Sequence, residues 1–227
     1  IPVAPFRTVS SRPDLIAAVE EIGLPCVLKT RRLGYDGKGQ MVLRFQEDME
    51  RAWQALGDFD LICEGFVSFD LECSIIAARG QDGRTAFWPL TQNLHREGIL
   101  AISSAPVFDQ RLQARAETLV SRLLDHLDYG GVLALELFLK DGELIANEFA
   151  PRVHNSGHWT QNGCTVDQFE QHIRAVAGWP LGDGQRHASF TVEPGACAGD
   201  ASCACHGLPR SVAKEHTRHQ RVLQEHI

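Results

Sequence analysis

A pair of β-rich runs joined by a short polar turn constrains the fold of this chain more than any other feature. Residues 131–139 and 144–149 are dominated by apolar side chains, and residues 140–143 (Lys, Asp, Gly, Glu) between them are typical of a hairpin turn. One carboxylate stands inside each run, Glu136 in the first and Glu148 in the second. A charge within a buried strand is costly unless something compensates it. The hairpin therefore predicts part of a sheet and, on that sheet, a candidate site.

The two carboxylates are expected to face each other, because opposed residues of antiparallel strands approach to about 5 Å. With the amide of Asn147 nearby, Glu136 and Glu148 would supply the oxygen ligands that Mg²⁺ prefers. The pattern leaves two alternatives open, since the carboxylates could point to the solvent face or pair with Arg152. We predict that Glu136 and Glu148 hold Mg²⁺, with help from Asn147.

The rest of the chain alternates helices with strands, which predicts an α+β fold with two lobes. Apolar periodicity predicts helices at 14–22, 47–56, 114–127 and 166–177. Short apolar runs predict further strands at 26–29, 41–43, 61–64, 71–77 and 86–90. We expect a small lobe over residues 1–75, a large lobe over 76–192, and a divergent tail of unknown structure over 193–227.

Charge and composition exclude several classes of protein. The net charge of −7 argues against a general nucleic-acid surface. The sequence contains no apolar run of the roughly 18–20 residues that span a membrane, and its first residues do not resemble a signal peptide. Four cysteines in apolar segments predict buried free thiols of a cytoplasmic protein: Cys26, Cys63, Cys73 and Cys164.

A glycine-rich turn follows the predicted strand that ends at Lys29. Three glycines within residues 34–39 would let the backbone approach a ligand and point N–H groups at it. Lys29 and Lys38 would neutralise phosphate oxygens. The turn is neither a Walker loop nor a Rossmann loop. An ordinary hairpin loop with surface lysines is the alternative.

A second polar loop, residues 152–158, follows the predicted hairpin. It carries Arg152, His154, Asn155 and Ser156, which are donors suited to a phosphate group. A structural network of buried side-chain hydrogen bonds is the alternative. Residues 93–95 (Asn, Leu, His) form a less specific polar cluster after the strand predicted at 86–90.

Together these segments resemble the ATP-grasp superfamily and, within it, the N5-carboxyaminoimidazole ribonucleotide synthetases, the ATPase subunits of phosphoribosylaminoimidazole carboxylase. The resemblance is carried by residues 29–40, 89–95 and 134–138, and above all by residues 147–160. It implies two lobes with antiparallel sheets that clamp a nucleotide cleft. It also implies an ATP- and Mg²⁺-dependent ligase of purine biosynthesis that carboxylates 5-aminoimidazole ribonucleotide with bicarbonate through carboxyphosphate. Mn²⁺ could replace Mg²⁺, and a homodimer is compatible with the family.

The resemblance implies roles for individual residues. The ATP phosphates would contact Lys29 and a closing loop formed by Gly34, Tyr35, Asp36, Gly37, Lys38, Gly39 and Gln40. The adenosine would contact Glu64, Gly65, Phe66, Val67, Glu72 and His95, with Glu72 at the ribose hydroxyls. Asn147 and Glu148 would complete the ATP site. The ribonucleotide and bicarbonate would contact Tyr35, Asp36, Arg152, His154, Asn155 and Ser156. Lys38 and Arg152 would act as catalytic residues by neutralising charge during phosphoryl transfer.

The chain departs from the family pattern at both ends. The resemblance begins at Ile1 and stops near Val192, so we expect the N-terminal Rossmann-like domain and the C-terminal end of the family to be missing. On that basis the chain alone is expected to bind nucleotide weakly and to turn over little. The tail is expected to be unrelated to the fold, since no ordinary zinc module matches the spacing of Cys197, Cys203, Cys205 and His206. A non-catalytic ATP-binding module and another ATP-grasp carboxylate ligase stay open as alternatives.

Overall fold

Two antiparallel sheets organise the chain in the computed structural model, which describes residues 1–32, 39–96, 98–187 and 190–192. The first sheet has the strand order β1-β4-β2-β3. Its strands are β1 (Phe6–Val9), β2 (Cys26–Thr30), β3 (Gln40–Leu43) and β4 (Leu61–Gly65). Helices α1 (Arg12–Ile22) and α2 (Asp48–Leu56) accompany it. Buried side chains of both helices and of the four strands form one apolar cluster.

The second sheet has seven strands in the order β10-β9-β5-β7-β8-β11, with β6 paired to β5. Its strands are β5 (Leu71–Arg79), β6 (Thr85–Phe87), β7 (Thr91–Arg96), β8 (Ile99–Ala105), β9 (Gly131–Lys140), β10 (Glu143–Ala150) and β11 (Phe190–Val192). Its helices are α3 (Gln110–His126), the short α4 (Thr160–Gly163) and α5 (Gln168–Val176), and a single 3₁₀ turn spans Asn155–Gly157.

Strands β5 and β9 are buried on both faces, which explains their nearly continuous apolar sequence. Odd-numbered residues such as Leu133 and Leu135 pack in the cluster that contains α3. Even-numbered residues such as Val132 and Ala134 pack in a second cluster, together with Trp159 of the loop after β10. The alternation places Glu136 on this second face.

Two helices begin at residues other than those predicted, because a capping side chain sets where each of them starts. Helix α3 begins at Gln110 rather than at 114, because the carboxylate of Asp109 accepts hydrogen bonds from its first backbone N–H groups. Helix α5 begins at Gln168 rather than at 166, because Asp167 caps it in the same way. No helix in the described ranges is long and apolar enough to cross a membrane.

The strand predicted at 86–90 is wrong in extent. It is reduced to β6, and Trp88 and Leu90 instead fill the core beyond the strand end. The Trp88 indole Nε1 donates to the carbonyl of Val166 at 3.2 Å. The apolar side chains of Trp88 and Leu90 therefore indicate burial in the core rather than a longer strand.

Residues 93–95, predicted as a polar cluster after that strand, do follow β6 and lie within a further strand, β7. The apolar pattern predicts neither β1 nor β8, although both are strands. The sheets themselves separate between Gly65 and Leu71, whereas the predicted lobe boundary at residue 75 falls within β5. The division into domains stays a prediction, and the tail over 193–227 lies outside the described residues.

Candidate functional site

Lys29 lies between the two sheets. Its Nζ is 2.7 Å from the Glu64 carboxylate of β4 and 3.3 Å from the Asn147 Oδ1 of β10. The side chain is 16% exposed, so these partners hold it in place while part of it stays accessible to solvent. A backbone hydrogen bond from Ala146 N to Pro2 O (2.8 Å) joins the same regions. The cation predicted to bind phosphate therefore opens onto a cleft between the sheets.

Glu136 and Glu148 are direct partners in the β9–β10 register, as the hairpin predicts. Opposed residues point to the same face of a sheet, so the two carboxylates approach one another. Burial, followed by the negative charge of Glu148, raises the pKa of Glu136 to about 7. A pair of opposed acids in this state is suited to a divalent cation that would neutralise it.

A β-bulge brings Asn147 to the same place. The register shifts between Ala146 and Glu148, so consecutive residues no longer alternate strictly across the sheet. The side-chain amide of Asn147 acts against burial by lowering the pKa of Glu136, and its Oδ1 accepts from Lys29. The bulge thus connects the predicted phosphate cation to the predicted metal carboxylates.

The described residues contain no group of three or more His, Cys, Asp and Glu side chains arranged to hold a metal. Glu136 and Glu148 would therefore be two ligands of a coordination sphere that waters and phosphate oxygens complete, which is the usual pattern for Mg²⁺. The alternative pairing with Arg152 is not seen, because that guanidinium donates to the Val153 carbonyl at 2.9 Å.

Glu72 and His95 form an ion-pairing contact beside this centre. His95 Nδ1 is 2.8 Å from the Glu72 carboxylate, and each side chain is 22% exposed. Burial would lower the pKa of His95, but the hydrogen bond with Glu72 and the charges of Glu136 and Glu148 outweigh it and raise the pKa. Both residues could be named from the sequence, but their contact could not, because it depends on the pairing of β5 with β7.

The segment predicted to meet adenine begins at the end of β4. The backbone N–H of Gly65 donates to Pro5 O at 2.8 Å, and that of Phe66 donates to Pro25 O at 3.3 Å. These two N–H groups are used within the fold, so a base would have to be bound by other groups of the segment, including those of Val67. The Phe66 side chain is exposed.

The loop after β10 divides into exposed and buried members. Arg152 and Asn155 are exposed, whereas His154 and Ser156 are buried. His154 lies 3.4 Å from Glu136 through Nε2 and 2.9 Å from Ser156 Oγ through Nδ1. Burial and the charges of Arg152 and neighbouring histidines lower the pKa of His154 to about 4. His154 is thus neutral near pH 7, and Ser156 belongs to a buried network.

Part of the predicted site lies outside the described residues. This holds for Gly34, Tyr35, Asp36, Gly37 and Lys38, and for Cys197, Cys203, Cys205 and His206 of the tail. Gly39 and Gln40 are described: Gly39 has a φ of 79°, and Gln40 pairs with Lys29 in the β2–β3 register. The glycine-rich turn therefore returns beside Lys29.

A separate groove of about 690 Å³ lies on the large sheet, bordered by residues 85–89, 106–110 and 182–186. None of the predicted site residues lines it.

The four cysteines predicted to be buried free thiols, Cys26, Cys63, Cys73 and Cys164, are buried and free, which confirms that prediction.

Comparison with known proteins shows the family of the chain and its fold. Residues 1–169 match the family model described as the ATP-grasp domain. The N5-carboxyaminoimidazole ribonucleotide synthase of Pseudomonas aeruginosa is 57% identical over 182 residues, which are 80% of this chain and 50% of that protein. The Brucella melitensis protein of the same name is 50% identical over 197 residues, 85% of this chain and 54% of the relative. The chain thus spans about half the length of the curated relatives that it matches.

Solved structures of proteins with that name also superimpose on the chain. The Thermus thermophilus synthetase has a TM-score of 0.77 at 47% identity, covering 84% of this chain and 52% of the other. An ADP complex of such a synthetase reaches a TM-score of 0.80 at 40% identity, covering 84% and 51%. The Aspergillus clavatus synthase with ADP and 5-aminoimidazole ribonucleotide has a TM-score of 0.77 at 27% identity, covering 84% and 52%.

Proposed function

The chain belongs to the ATP-grasp family, and from that premise we propose that it is the nucleotide-binding portion of an N5-carboxyaminoimidazole ribonucleotide synthetase. The observation that carries the proposal is the opposed pair Glu136 and Glu148, linked through Asn147 to Lys29 in one cleft. Relatives of that name, at 57% and 50% identity, support the substrate class. The reaction would be ATP-dependent carboxylation of 5-aminoimidazole ribonucleotide with bicarbonate.

The nucleotide would lie between the sheets. Lys29 would neutralise phosphate oxygens, since its side chain lies between Glu64 and Asn147 and stays 16% exposed. Glu72 and His95 would bind the ribose side of the nucleotide. The ADP and ATP complexes of structural relatives support this choice of ligand.

Mg²⁺ would be held by Glu136 and Glu148, with Mn²⁺ as a substitute of similar ligand preference. When bound, the ion supplies charge neutralisation at the triphosphate. Two neighbouring side chains would prepare Glu136 for this role. The amide of Asn147 favours the ionised carboxylate, and His154 Nε2 lies 3.4 Å from it.

The first chemical step would transfer the terminal phosphoryl group of ATP to a bicarbonate oxygen, which forms carboxyphosphate and ADP. The exocyclic amine of the ribonucleotide would then attack the carboxyl carbon, with loss of a proton from nitrogen and departure of phosphate. Such transfer depends on positioning and on charge neutralisation. Arg152 and Asn155 are exposed in the loop after β10 and would meet the acceptor, together with Tyr35, Asp36 and Lys38 of the glycine-rich turn.

Calorimetric titration of the chain with ATP, with and without Mg²⁺, tests the nucleotide site. We expect Mg²⁺-dependent binding that Glu148→Gln weakens. Phosphate release and carboxylated product, measured together with bicarbonate and the ribonucleotide, test the reaction. Nucleotide binding that neither Mg²⁺ nor Glu148→Gln affects would contradict the metal site. Binding without phosphate release would instead support an ATP-binding module that is not catalytic by itself.

Four buried free thiols among the described cysteines support a reducing compartment, and we propose the cytoplasm. The structure holds one chain, so the homodimer stays a prediction.

A further inference from the structure

A line of buried polar side chains leads from the middle of the large sheet to the loop after β10. Ser103 Oγ donates to Asn93 Oδ1 (3.0 Å), Asn93 Nδ2 donates to Ser74 Oγ (3.0 Å), and Ser74 Oγ donates to Ser156 Oγ (2.8 Å). None of the four side chains is more than 2% exposed. We call Ser103, Asn93, Ser74 and Ser156 the serine–asparagine chain. It ends on His154, whose Nδ1 is 2.9 Å from Ser156 Oγ.

The serine–asparagine chain has a direction because each hydroxyl carries one proton. The Asn93 amide donates from nitrogen and accepts at oxygen, so it fixes which neighbour gives and which receives. Ser74 Oγ accepts a hydrogen bond from Asn93 and donates one to Ser156 Oγ. The hydroxyl group of Ser156 then donates its hydrogen bond to His154 Nδ1.

A backbone contact independently points to the same role for Nδ1. The Ser156 N–H also points at His154 Nδ1, at 3.4 Å. A backbone amide can only donate, so Nδ1 must be the unprotonated nitrogen of a neutral ring. The single ring proton then lies on Nε2, the nitrogen 3.4 Å from Glu136 Oε1.

We propose that Ser74, Asn93 and Ser103 are positioning residues that hold His154 as its Nε2–H tautomer, so that His154 donates toward Glu136 and orients that carboxylate. Partners of this kind commonly fix the ring orientation of a histidine and tune the group it touches. The tautomer follows from hydrogen bonds within the chain, whatever reaction the protein performs. Only its use in orienting a cation ligand rests on the proposed function.

A purely structural role would not require this order. Buried hydroxyl and amide groups need partners, but they could be satisfied in either direction, or replaced by apolar residues at little cost. The common direction of three successive hydrogen bonds toward one ring nitrogen is what a device for tautomer selection requires.

Nuclear magnetic resonance of the full chain labelled with ¹⁵N-histidine tests the proposal above neutral pH. Long-range ¹H–¹⁵N correlations distinguish the two tautomers, and comparison with His154→Gln assigns the signal. We expect His154 to be the Nε2–H tautomer. In Ser74→Ala we expect the Nδ1–H tautomer to rise to at least about a tenth of the population, the occupancy of an accessible minor state. Ser74→Thr, which keeps the hydroxyl, should restore the original signal.

Thr91→Val is the matched control. Thr91 is also a buried hydroxyl on β7, but it accepts from Trp159 Nε1 (3.1 Å) rather than joining the serine–asparagine chain. It should lose stability without changing the His154 signal. If Ser74→Ala does not fold, Ser103→Ala tests the far end and should shift the tautomer in the same direction.

The proposal would be overturned by an Nδ1–H tautomer in the unaltered chain, by an unchanged signal in Ser74→Ala, or by equal changes in Ser74→Ala and Thr91→Val. Titration with Mn²⁺ and ADP separates this inference from the proposed function. An Nε2–H tautomer in a chain that binds no nucleotide would uphold the positioning role and reject the function. Nucleotide binding with an Nδ1–H tautomer would do the reverse.

Discussion

Lys29 and Asn147 meet between the two sheets, with Lys29 Nζ 3.3 Å from Asn147 Oδ1 although the residues are 118 positions apart. Lys29 belongs to β2 of the small sheet and Asn147 to β10 of the large one. Because the same amide lowers the pKa of Glu136, it lies between a cation and the carboxylate pair. This contact makes the two sheets parts of one site.

Replacing Lys29 with Met should weaken ATP binding by about 10- to 100-fold. A hydrogen bond to a charged group contributes about 1.5–3 kcal/mol, and each 1.4 kcal/mol corresponds to a factor of ten in Kd. The variant also leaves Glu64 without its cation, so some loss of stability is expected. Calorimetric titration with ATP and Mg²⁺ measures the change. Lys140→Met, which removes an exposed lysine at the end of β9, is the control; equal effects in both variants would rule out a specific role for Lys29.

Glu148→Gln should weaken Mg²⁺-dependent ATP binding by at least about tenfold, since even the outer partners of metal ligands typically contribute 10- to 100-fold. Glu148 is exposed, so the free energy of unfolding should change little. The control is Glu143→Gln in the same strand, which removes an exposed ion pair with Arg115. Titrations at several Mg²⁺ concentrations measure the effect, and an unchanged Mg²⁺ dependence in Glu148→Gln would exclude Glu148 as a ligand.

The ionisation of Glu136 should make the stability of the ligand-free chain depend on pH. Its pKa is raised from an ordinary value of 4.5 to about 7, so the folded chain binds more protons than the unfolded chain between those values. The free energy of unfolding contributed by Glu136 therefore falls as the pH rises from 4.5 to about 7. Glu136→Gln has no carboxylate to ionise. Its free energy of unfolding, relative to that of the unaltered chain, should therefore increase across that window by on the order of 3 kcal/mol.

Urea unfolding at roughly pH 5 and at roughly pH 8 covers most of this window. It measures the difference in the free energy of unfolding between Glu136→Gln and the unaltered chain. Glu47→Gln, an exposed carboxylate before α2, is the control and should show no such trend. A stability difference between Glu136→Gln and the unaltered chain that stays constant with pH would contradict the raised pKa. Glu136→Gln should also lose Mg²⁺-dependent nucleotide binding, so stability and binding change in opposite directions.

Gln168→Ala should destabilise the chain by about 2–5 kcal/mol. The buried Gln168 amide accepts from His154 N at 2.9 Å and donates to His154 O at 2.7 Å, and each buried backbone group left without a partner costs about 1–3 kcal/mol. Gln168 holds the backbone of His154, whose ring lies beside Glu136, so the Kd for Mg²⁺-ATP should rise as well. Thermal unfolding and titration test both statements. Gln161→Ala, at an exposed position, should leave both unchanged, and an equal drop in Tm in that variant would count against the role of Gln168.

The paired carboxylates could be predicted from the sequence because their relationship is local. The turn between β9 and β10 uses Asp141 and Gly142, with φ values of 50° and 77°, which a two-residue hairpin loop requires. Such a turn sets the register of its strands and brings Glu148 close to Glu136. The direct pairing of the two carboxylates also requires the bulge, because an unbroken ladder from the turn would oppose Glu136 to Asn147. The motif over 147–160 adds the family, again from neighbouring residues.

Strands β7 and β8 could not be predicted in the same way. Their buried positions include Thr91, Asn93 and Ser103, which lack the apolar alternation that marks a half-buried strand. Asn93 and Ser103 satisfy each other by a hydrogen bond across the two strands. Burial of that kind depends on a partner from another strand, and no local pattern specifies it.

The sequence by itself determined the hairpin, the closeness of its two carboxylates and the family to which the chain belongs, because short-range periodicity and a turn are enough for these. Only the tertiary structure decided that Lys29 meets Asn147, that Glu72 pairs with His95, and that His154 lies between Glu136 and Ser156. Apart from the contact of His154 with Ser156 in one loop, each of these contacts joins side chains from separate strands or loops. Their distances depend on how the sheets pair and pack, which is a property of the whole fold rather than of any segment.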